Sequence, residues 1–441
     1  MSYRKASIYK NLDWVIVILV VLLVLFGWAN IISATSNIEL SEWLDWNGKA
    51  GKQLLWIGIC TVLGFIIVNI ESEFFIRTSI IQYICTLILL AAVLVIGKKI
   101  GGARSWFNLG SFSLQPSEFA KPTTALALAW YLSRDYSRWK SLKSRVVSIL
   151  LIGLPAGLIL LQPDAGTVLV FAGFVFVLYR EGLSGNVLIL GFSSLLLSIA
   201  TILMGVTNTH YPIIGAWSGV GWFWVGWVIL GVLVLYIIRD ATVPRKRKNL
   251  TRWGISAIAA GLMFSIGLHT GMEKVLKPHQ RERIHVLFGI DVNNPDADYN
   301  IRHAKAAIGS GGFSGKGWMN GPMTAYSFVP EQETDFIFCT VGEEWGFMGT
   351  LSVIFLFGFL LLRIVFIAER QRSGFTRIYA YGVASILFMH FLVNVGMVLG
   401  LAPVIGIPLP FFSYGGSSLI GFTFLLAVLL RLDAERFKML R

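Results

Sequence analysis

Residues 14–32 read WVIVILVVLLVLFGWANII, nineteen positions without one ionisable side chain. About 20 apolar residues in a helix cross the ~30 Å of hydrocarbon in a bilayer. The pattern recurs along the chain. Runs at 54–68, 79–96, 119–131, 146–161, 166–178, 186–204, 221–238, 253–268, 346–362, 378–400 and 417–430 bring the expected number of spans to twelve. With 55% hydrophobic and 14% charged residues, no soluble class fits. The fold class is therefore an all-α polytopic membrane protein, expected as one membrane domain over residues 1–441. The first run lacks a small-residue cleavage site after it and reads as a retained span, not a removed signal peptide.

The formal charge of +13 would suggest nucleic acid until the charges are placed. With the N-terminus inside, cytoplasmic segments hold 24 Lys and Arg against 13 outside. Arg134, Arg138, Lys140, Lys143 and Arg145 crowd one inner loop, and Arg245, Lys246, Arg247 and Lys248 another. This positive-inside pattern puts both termini in the cytoplasm. The basic excess then reflects topology and anionic-lipid contact, and no nucleic-acid partner is expected. Cys60, Cys85 and Cys339 are too scattered for a disulfide framework or a metal cluster.

The long segment 272–345 lies outside in this topology, with ten acids and seven bases. Long loops are uncommon and often functional. It contains AIGSGGFSGKGW at 307–318, FVPEQETDFIF at 328–338 and GEEWG at 342–346. Backbone amides of Gly309–Gly317 with Lys316 would cradle a pyrophosphate, unless the stretch is a plain connector. Asp335 sits where the chain turns apolar. Partial desolvation there raises a carboxyl pKa and suits it to general-base work, although an Asp in that place also caps helices. Thr334 beside it can donate a hydrogen bond. If the following segment is helical, Glu343 returns close to the face of Asp335.

Three further patches hold polar groups at the mouths of spans. GARSWFNLG at 102–110 places Arg104 beside Trp106, either to contact phosphate or to anchor the interface. QPSEFAKP at 115–122 makes Ser117 a helix N-cap and puts Glu118 and Lys121 on one face, as a functional pair or a structural salt bridge. QPDAGT at 162–167 makes Asp164 either a cap or a ligand for a hard divalent ion, Mg²⁺ or Mn²⁺. The last patch, PVIGIPLPFFSYGGSS at 403–418 with Asn394 before it and Ser413 within it, reads as a re-entrant loop. Non-helical backbone at that depth must line a cavity or be buried in protein.

Together and in this order, these blocks resemble the SEDS family (shape, elongation, division and sporulation), from the first span to the C-terminus. GKGW after AIGSGG is closer to elongation-type than to division-type members. The resemblance implies a SEDS-type bundle of ten core helices with a large extracytoplasmic loop at 272–345. The extra pair of spans at 209–269 then reads as an inserted hairpin. It implies a peptidoglycan glycosyltransferase that polymerises undecaprenyl-pyrophosphate-linked lipid II, with no organic cofactor. Asp335 takes the place of the family's catalytic aspartate. Arg104, Glu118, Lys121, Lys316, Glu343 and Ser413 become candidate substrate contacts, and Asp164 the metal site. The implied partners are a class B penicillin-binding protein and other elongation proteins, in a bacterial inner membrane. Departures fall in the large loop: Glu333 where many members carry His, His303 where many carry Gln, and Pro322-Met323 for the usual Thr-Gln. The rival readings are a lipid II transporter, for which paired broken helices in matching halves are not evident, a division-type polymerase, and a scaffold that only activates a penicillin-binding protein.

Overall fold

The computed structural model describes residues 8–35, 46, 48–100, 103–108, 110, 113–134, 141–206, 219–274 and 295–436. After a single turn at Ile8–Asn11, the helices are α1 (Trp14–Thr35), α2 (Lys49–Asn69), α3 (Ser72–Ile96), α4 (Pro116–Arg134), α5 (Leu142–Leu160), α6 (Ala165–Ala172), α7 (Phe174–Arg180), α8 (Gly185–Val206), α9 (Gly219–Asp240), α10 (Pro244–Lys274), α11 (Pro295–Ser310), α12 (Pro322–Ala325), α13 (Ile337–Arg370), α14 (Gly374–Val398) and α15 (Gly416–Ala434). Eleven of the twelve expected runs fall on one helix each, and the twelfth, 166–178, on the consecutive pair α6 and α7. Ten of these helices are long and apolar enough to cross a membrane. The exceptions are α4, which carries Glu118 and Lys121, and the short consecutive pair α6 and α7.

One feature was not foreseen in an all-α reading. Strands β1 (Lys98–Ile100), β2 (Ala103–Asn108) and β3 (Ser113–Leu114) form a small antiparallel sheet in that order before α4. Lys99 pairs with Arg104 and Asn108 with Ser113. The Gly101-Gly102 dipeptide between two short runs is the local signal for such a hairpin.

The chain divides into two compact units, Met1–Leu183 with Asn300–Arg441, and Ser184–Tyr299. In the first, α14 and α15 are the most buried of the long apolar helices. Helix α4 packs against α3 and α14, α15 against α2, and α13 against α1 and α14. In the second, α8, α9 and α10 pack on one another and leave most of their apolar side chains exposed, as lipid-facing helices do. This unit joins the expected hairpin at 209–269 to the helix before it.

Helix α4 begins at Pro116, a favoured first helical residue. Ser117 is therefore inside the first turn and is not the N-cap that the sequence suggested. Glu118 and Lys121 are 3% and 1% exposed. Lys121 Nζ donates to Glu118 Oε2 at 2.8 Å, lies 2.9 Å from His390 Nε2 on α14, and stands over the Phe422 ring of α15. The pair is thus the polar centre of the α4–α14–α15 core.

Helix α13 is broken at Gly346, where φ is +62°. A Cβ there would lie 2.3 Å from the backbone nitrogen of Gly315, and one on Gly315 would lie 2.1 Å from the carbonyl oxygen of Glu344. The glycine stretch therefore packs backbone to backbone into the break. Its amides are used there: Lys316 N donates to Glu343 O at 3.1 Å and Gly317 N to Glu344 O at 2.9 Å. The break's Phe347 N donates to Gly312 O at 2.9 Å. The expected pyrophosphate cradle is corrected accordingly, because orphaned helix groups at the break need those amides more. The last nine residues assigned to the loop, 337–345, are helix.

Gly346→Ala should lower the thermal unfolding midpoint of the purified protein, with a strain cost of at least about 1–3 kcal/mol. Gly358→Ala, on the same helix with open space around it, should not. Equal midpoints for the two variants would contradict the account of the break. Glu118→Ala or Lys121→Ala alone strands a buried charge and should cost about 3–5 kcal/mol, whereas Glu118→Leu with Lys121→Met should recover part of that loss. Strictly additive losses in thermal unfolding would show that the two groups do not depend on one another.

Candidate active site

The segment 328–336 and the loop 399–415 come together at the end of the bundle. Asp335 is the second-last residue of the irregular stretch that precedes α13. Its carbonyl accepts from Asn394 Nδ2 of α14 at 2.8 Å, and the same amide donates to Ile407 O at 2.6 Å. One side chain thus ties the aspartate's backbone to the proline-rich loop. Gly406 lies against the carboxylate, where a Cβ would be 3.1 Å from Asp335 Oδ2. Tyr414 N donates to Glu333 O at 2.9 Å, closing the same contact from the other end. The loop itself is held inside protein, with Ile407, Leu409, Phe411 and Phe412 buried, as non-helical backbone at this depth requires.

Burial drives the Asp335 carboxyl up to about 7, and the negative charges of Glu331, Asp164 and Glu333 add to the effect. The expectation from its boundary position, a desolvated carboxyl poised near neutrality, matches this environment. Asp335 caps no helix, because the N-cap of α13 is Phe336 and has no side-chain cap bond. Thr334 does not serve Asp335 either. Its hydroxyl donates to Glu331 Oε2 at 3.0 Å.

Asp164 faces this site and is the N-cap of α6. Its carboxylate accepts from Thr167 N at 3.0 Å and Thr167 Oγ1 at 2.8 Å. Gln115 Nε2 approaches its Oδ2 at 3.3 Å, while Gln115 N donates to Ser417 Oγ at 3.0 Å. The QPSEFAKP, QPDAGT and SYGGSS blocks therefore meet through Gln115.

The remaining candidates are placed elsewhere or turned inward. Glu343 is fully buried. It accepts from Lys316 Nζ at 2.9 Å, Met323 N at 3.0 Å, Thr324 N at 2.9 Å and Thr324 Oγ1 at 2.7 Å. It does not return to Asp335, as was expected; the break geometry and the start of α12 draw it to the loop side. Lys316 is held in an ion pair by that contact. Ser413 is buried, and its hydroxyl accepts from Leu409 N at 2.8 Å, which shapes the loop from inside. Glu118 and Lys121 satisfy each other in the core. Arg104 lies exposed on β2.

Two contacts escaped the sequence reading. Lys49, at the start of α2, forms an ion pair with Glu333 across 284 residues. Gln53, one turn on, accepts from Gly415 N at 3.2 Å. A glutamine at the edge of an apolar run was the available signal for the second; nothing local marks the first.

The profile of the FtsW/RodA/SpoVE family, described as a cell cycle protein, matches residues 13–217 and 227–438. The peptidoglycan glycosyltransferase MrdB of Escherichia coli K12 is 34% identical over 339 residues, covering 77% of this chain and 73% of that protein. The peptidoglycan glycosyltransferase RodA of Treponema pallidum is 30% identical over 402 residues, 90% of each. Among solved structures, the rod shape determining protein RodA of Thermus thermophilus matches with a TM-score of 0.60 at 26% identity, over 97% of this chain and 98% of that one. A chain from a peptidoglycan synthase complex that coordinates polymerization and crosslinking matches with a TM-score of 0.68 at 27% identity, over 97% and 99%. Agreement in motifs, profile and backbone leaves one assignment: the chain belongs to the FtsW/RodA/SpoVE family, the SEDS family that its motifs resemble.

Proposed function

We propose that the protein is a peptidoglycan glycosyltransferase that polymerises lipid II into glycan strands during cell elongation, with Asp335 as its general base. The observation that carries the role of Asp335 is its placement: a half-buried carboxyl near neutrality, pinned through its backbone to the proline-rich loop and ringed by acids. The names of the relatives carry the reaction. A sugar hydroxyl is a poor nucleophile at neutral pH. In the proposed step Asp335 takes its proton as the oxygen bonds to the donor's anomeric carbon. The bond from that carbon to the pyrophosphate breaks, and undecaprenyl pyrophosphate leaves with the electron pair. General-base help of this kind contributes about 10²–10⁴ in rate. Apolar tails keep both substrates in the bilayer, which explains why the catalyst is a helical bundle.

The leaving pyrophosphate calls for positive charge. Of the three basic candidates, Arg104 alone is exposed, while Lys121 and Lys316 are bound to Glu118 and Glu343. No group of three or more His, Cys, Asp or Glu among the described residues forms a metal cage. Asp164 fits instead the mode in which Mg²⁺ or Mn²⁺ takes one or two carboxylates and completes its shell with substrate phosphates and water. Such an ion would supply Lewis-acid charge at the leaving group. We further propose that both termini and the basic loops face the cytoplasm of a bacterial inner membrane, with Asp335 outside, from the charge asymmetry of the loops. The partner is a class B penicillin-binding protein within the elongation machinery. Its support is the likeness to a chain of a complex that coordinates polymerization and crosslinking.

Purified protein given lipid II in detergent should make glycan strands. Ionised Asp335 is the active form, so the rate should climb about tenfold per pH unit below 7 and level off above it. A chelator should slow the reaction and Mg²⁺ restore it. Movement of lipid II across vesicles without strand formation would favour the transporter instead.

A further inference from the structure

Beside the Asp335 site, the segment Ala325–Phe328 carries two features that the mechanism above does not use. Tyr326 is 76% exposed and Phe328 is 42% exposed on a polar loop. Their rings meet edge to face at 6.1 Å, and His303 of α11 stacks on Phe328 at 6.0 Å with the planes 10° apart. Ser327 between them holds a φ of +50°, a strained value for a residue with a side chain. The segment is fixed from below: Gln332 Nε2 donates to Thr324 O at 2.8 Å and to Ala34 O at 3.0 Å. The aromatic ridge is thus built, not a loose loop tip.

On the other side of the same segment is a pocket of about 280 Å³, lined by Ser33, Thr35, Lys49, Ser327 and Glu333 among others. Its charges cancel, because Lys49 and Glu333 pair with each other. It offers hydroxyl oxygens as acceptors, since Ser33 and Thr35 already donate to Glu344 and to Ile31 O, and a balanced ion pair, with no surplus positive charge for a phosphate. Sites for drug-sized ligands begin at roughly 300 Å³, so this one suits a single ring. An exposed aromatic ridge next to a neutral, hydrogen-bonding pocket is complementary to a sugar, whose ring has apolar faces and a rim of hydroxyls. Exposed aromatic patches on otherwise polar surfaces mark binding sites.

We propose that His303, Tyr326 and Phe328, with the Lys49–Glu333 pocket, form a subsite for rings of the glycan strand adjacent to the reacting sugar. This rests on the polymerase reading and deepens it. Glu333 lines the pocket and is two residues from Asp335, so a strand lying here stays beside the reaction centre between additions. A held strand makes a processive polymerase; a strand released after each bond makes short products.

The test uses the full-length purified protein and a soluble stand-in, the β-1,4-linked tetramer of N-acetylglucosamine. Calorimetry should detect tetramer binding to wild type and equally to Asp335→Asn, which separates binding from chemistry. Tyr326→Ala with Phe328→Ala should weaken it by about tenfold, near 1.4 kcal/mol, while Tyr326→Phe, which keeps the ring, should bind like wild type. At matched lipid II consumption, the double variant should give strands severalfold shorter. If the double variant does not fold, Tyr326→Ala alone carries the same comparison. The subsite is overturned if the tetramer does not bind, if it binds the ring-less variant as tightly, or if strand length changes only when a transpeptidase partner is present, which would make the ridge a protein-docking surface. None of these outcomes touches the polymerase reading, which stands or falls on lipid II turnover by wild type.

Discussion

Backbone that leaves the helix inside a membrane protein has to find its hydrogen bonds within the protein. Two segments of this chain do so, and the site depends on both. At Gly346 the break in α13 is filled by Gly311–Gly317, whose amides satisfy the carbonyls that the break exposes. In the loop 399–415, Asn394, Gln53 and the hydroxyl of Ser413 satisfy the backbone. The first contact fixes the large loop to the bundle, and Glu343 locks it by gathering Lys316 and the start of α12. The second brings Gly406 against Asp335. Asp335 lies between the two anchored segments, so its surroundings are set by backbone geometry more than by side-chain partners.

The same reasoning separates carboxylates that stabilise from the one offered as a catalyst. Glu118 and Glu343 are more deeply buried than Asp335, yet each has a lysine within 2.9 Å. Paired charges of this kind hold elements in register, and removing one partner is costly. The charges that act on Asp335 are acidic: Glu331, Asp164 and Glu333. Like charges and burial both favour its protonated form, and that is how a carboxyl comes to sit near 7. A cation near Asp164 would reduce the repulsion on this side of the site.

The helices were legible because an apolar run has few alternatives in a bilayer, and all twelve runs lie on helices. The boundary position of Asp335 was legible for the same reason: the change from polar loop to apolar run is a local signal. Capping by Asp164 was equally readable, from a proline, a glycine and a threonine three residues on. What failed was everything set by long-range geometry. Glu343 was expected on the face of Asp335 by helical spacing, but it turns to Lys316 because the loop folds back onto the break. The glycines were read as a phosphate cradle because composition cannot say whether an amide is already used. The small sheet was missed because three short strands leave little periodicity between two membrane spans. Lys49 and Glu333 carry no mutual mark across 284 residues.

The central claim is that Asp335 accepts the proton in strand synthesis and is not needed for the fold. Burial raises its pKa from 3.8 to about 7, so ionisation opposes folding increasingly as pH rises between those values. An asparagine there removes that penalty at pH 8. The most direct measurement is polymerisation of lipid II by purified Asp335→Asn at pH 8, with thermal unfolding measured on the same preparation. The account predicts no detectable strands and an unfolding midpoint at or above that of wild type. Strand synthesis at the wild-type rate would contradict it.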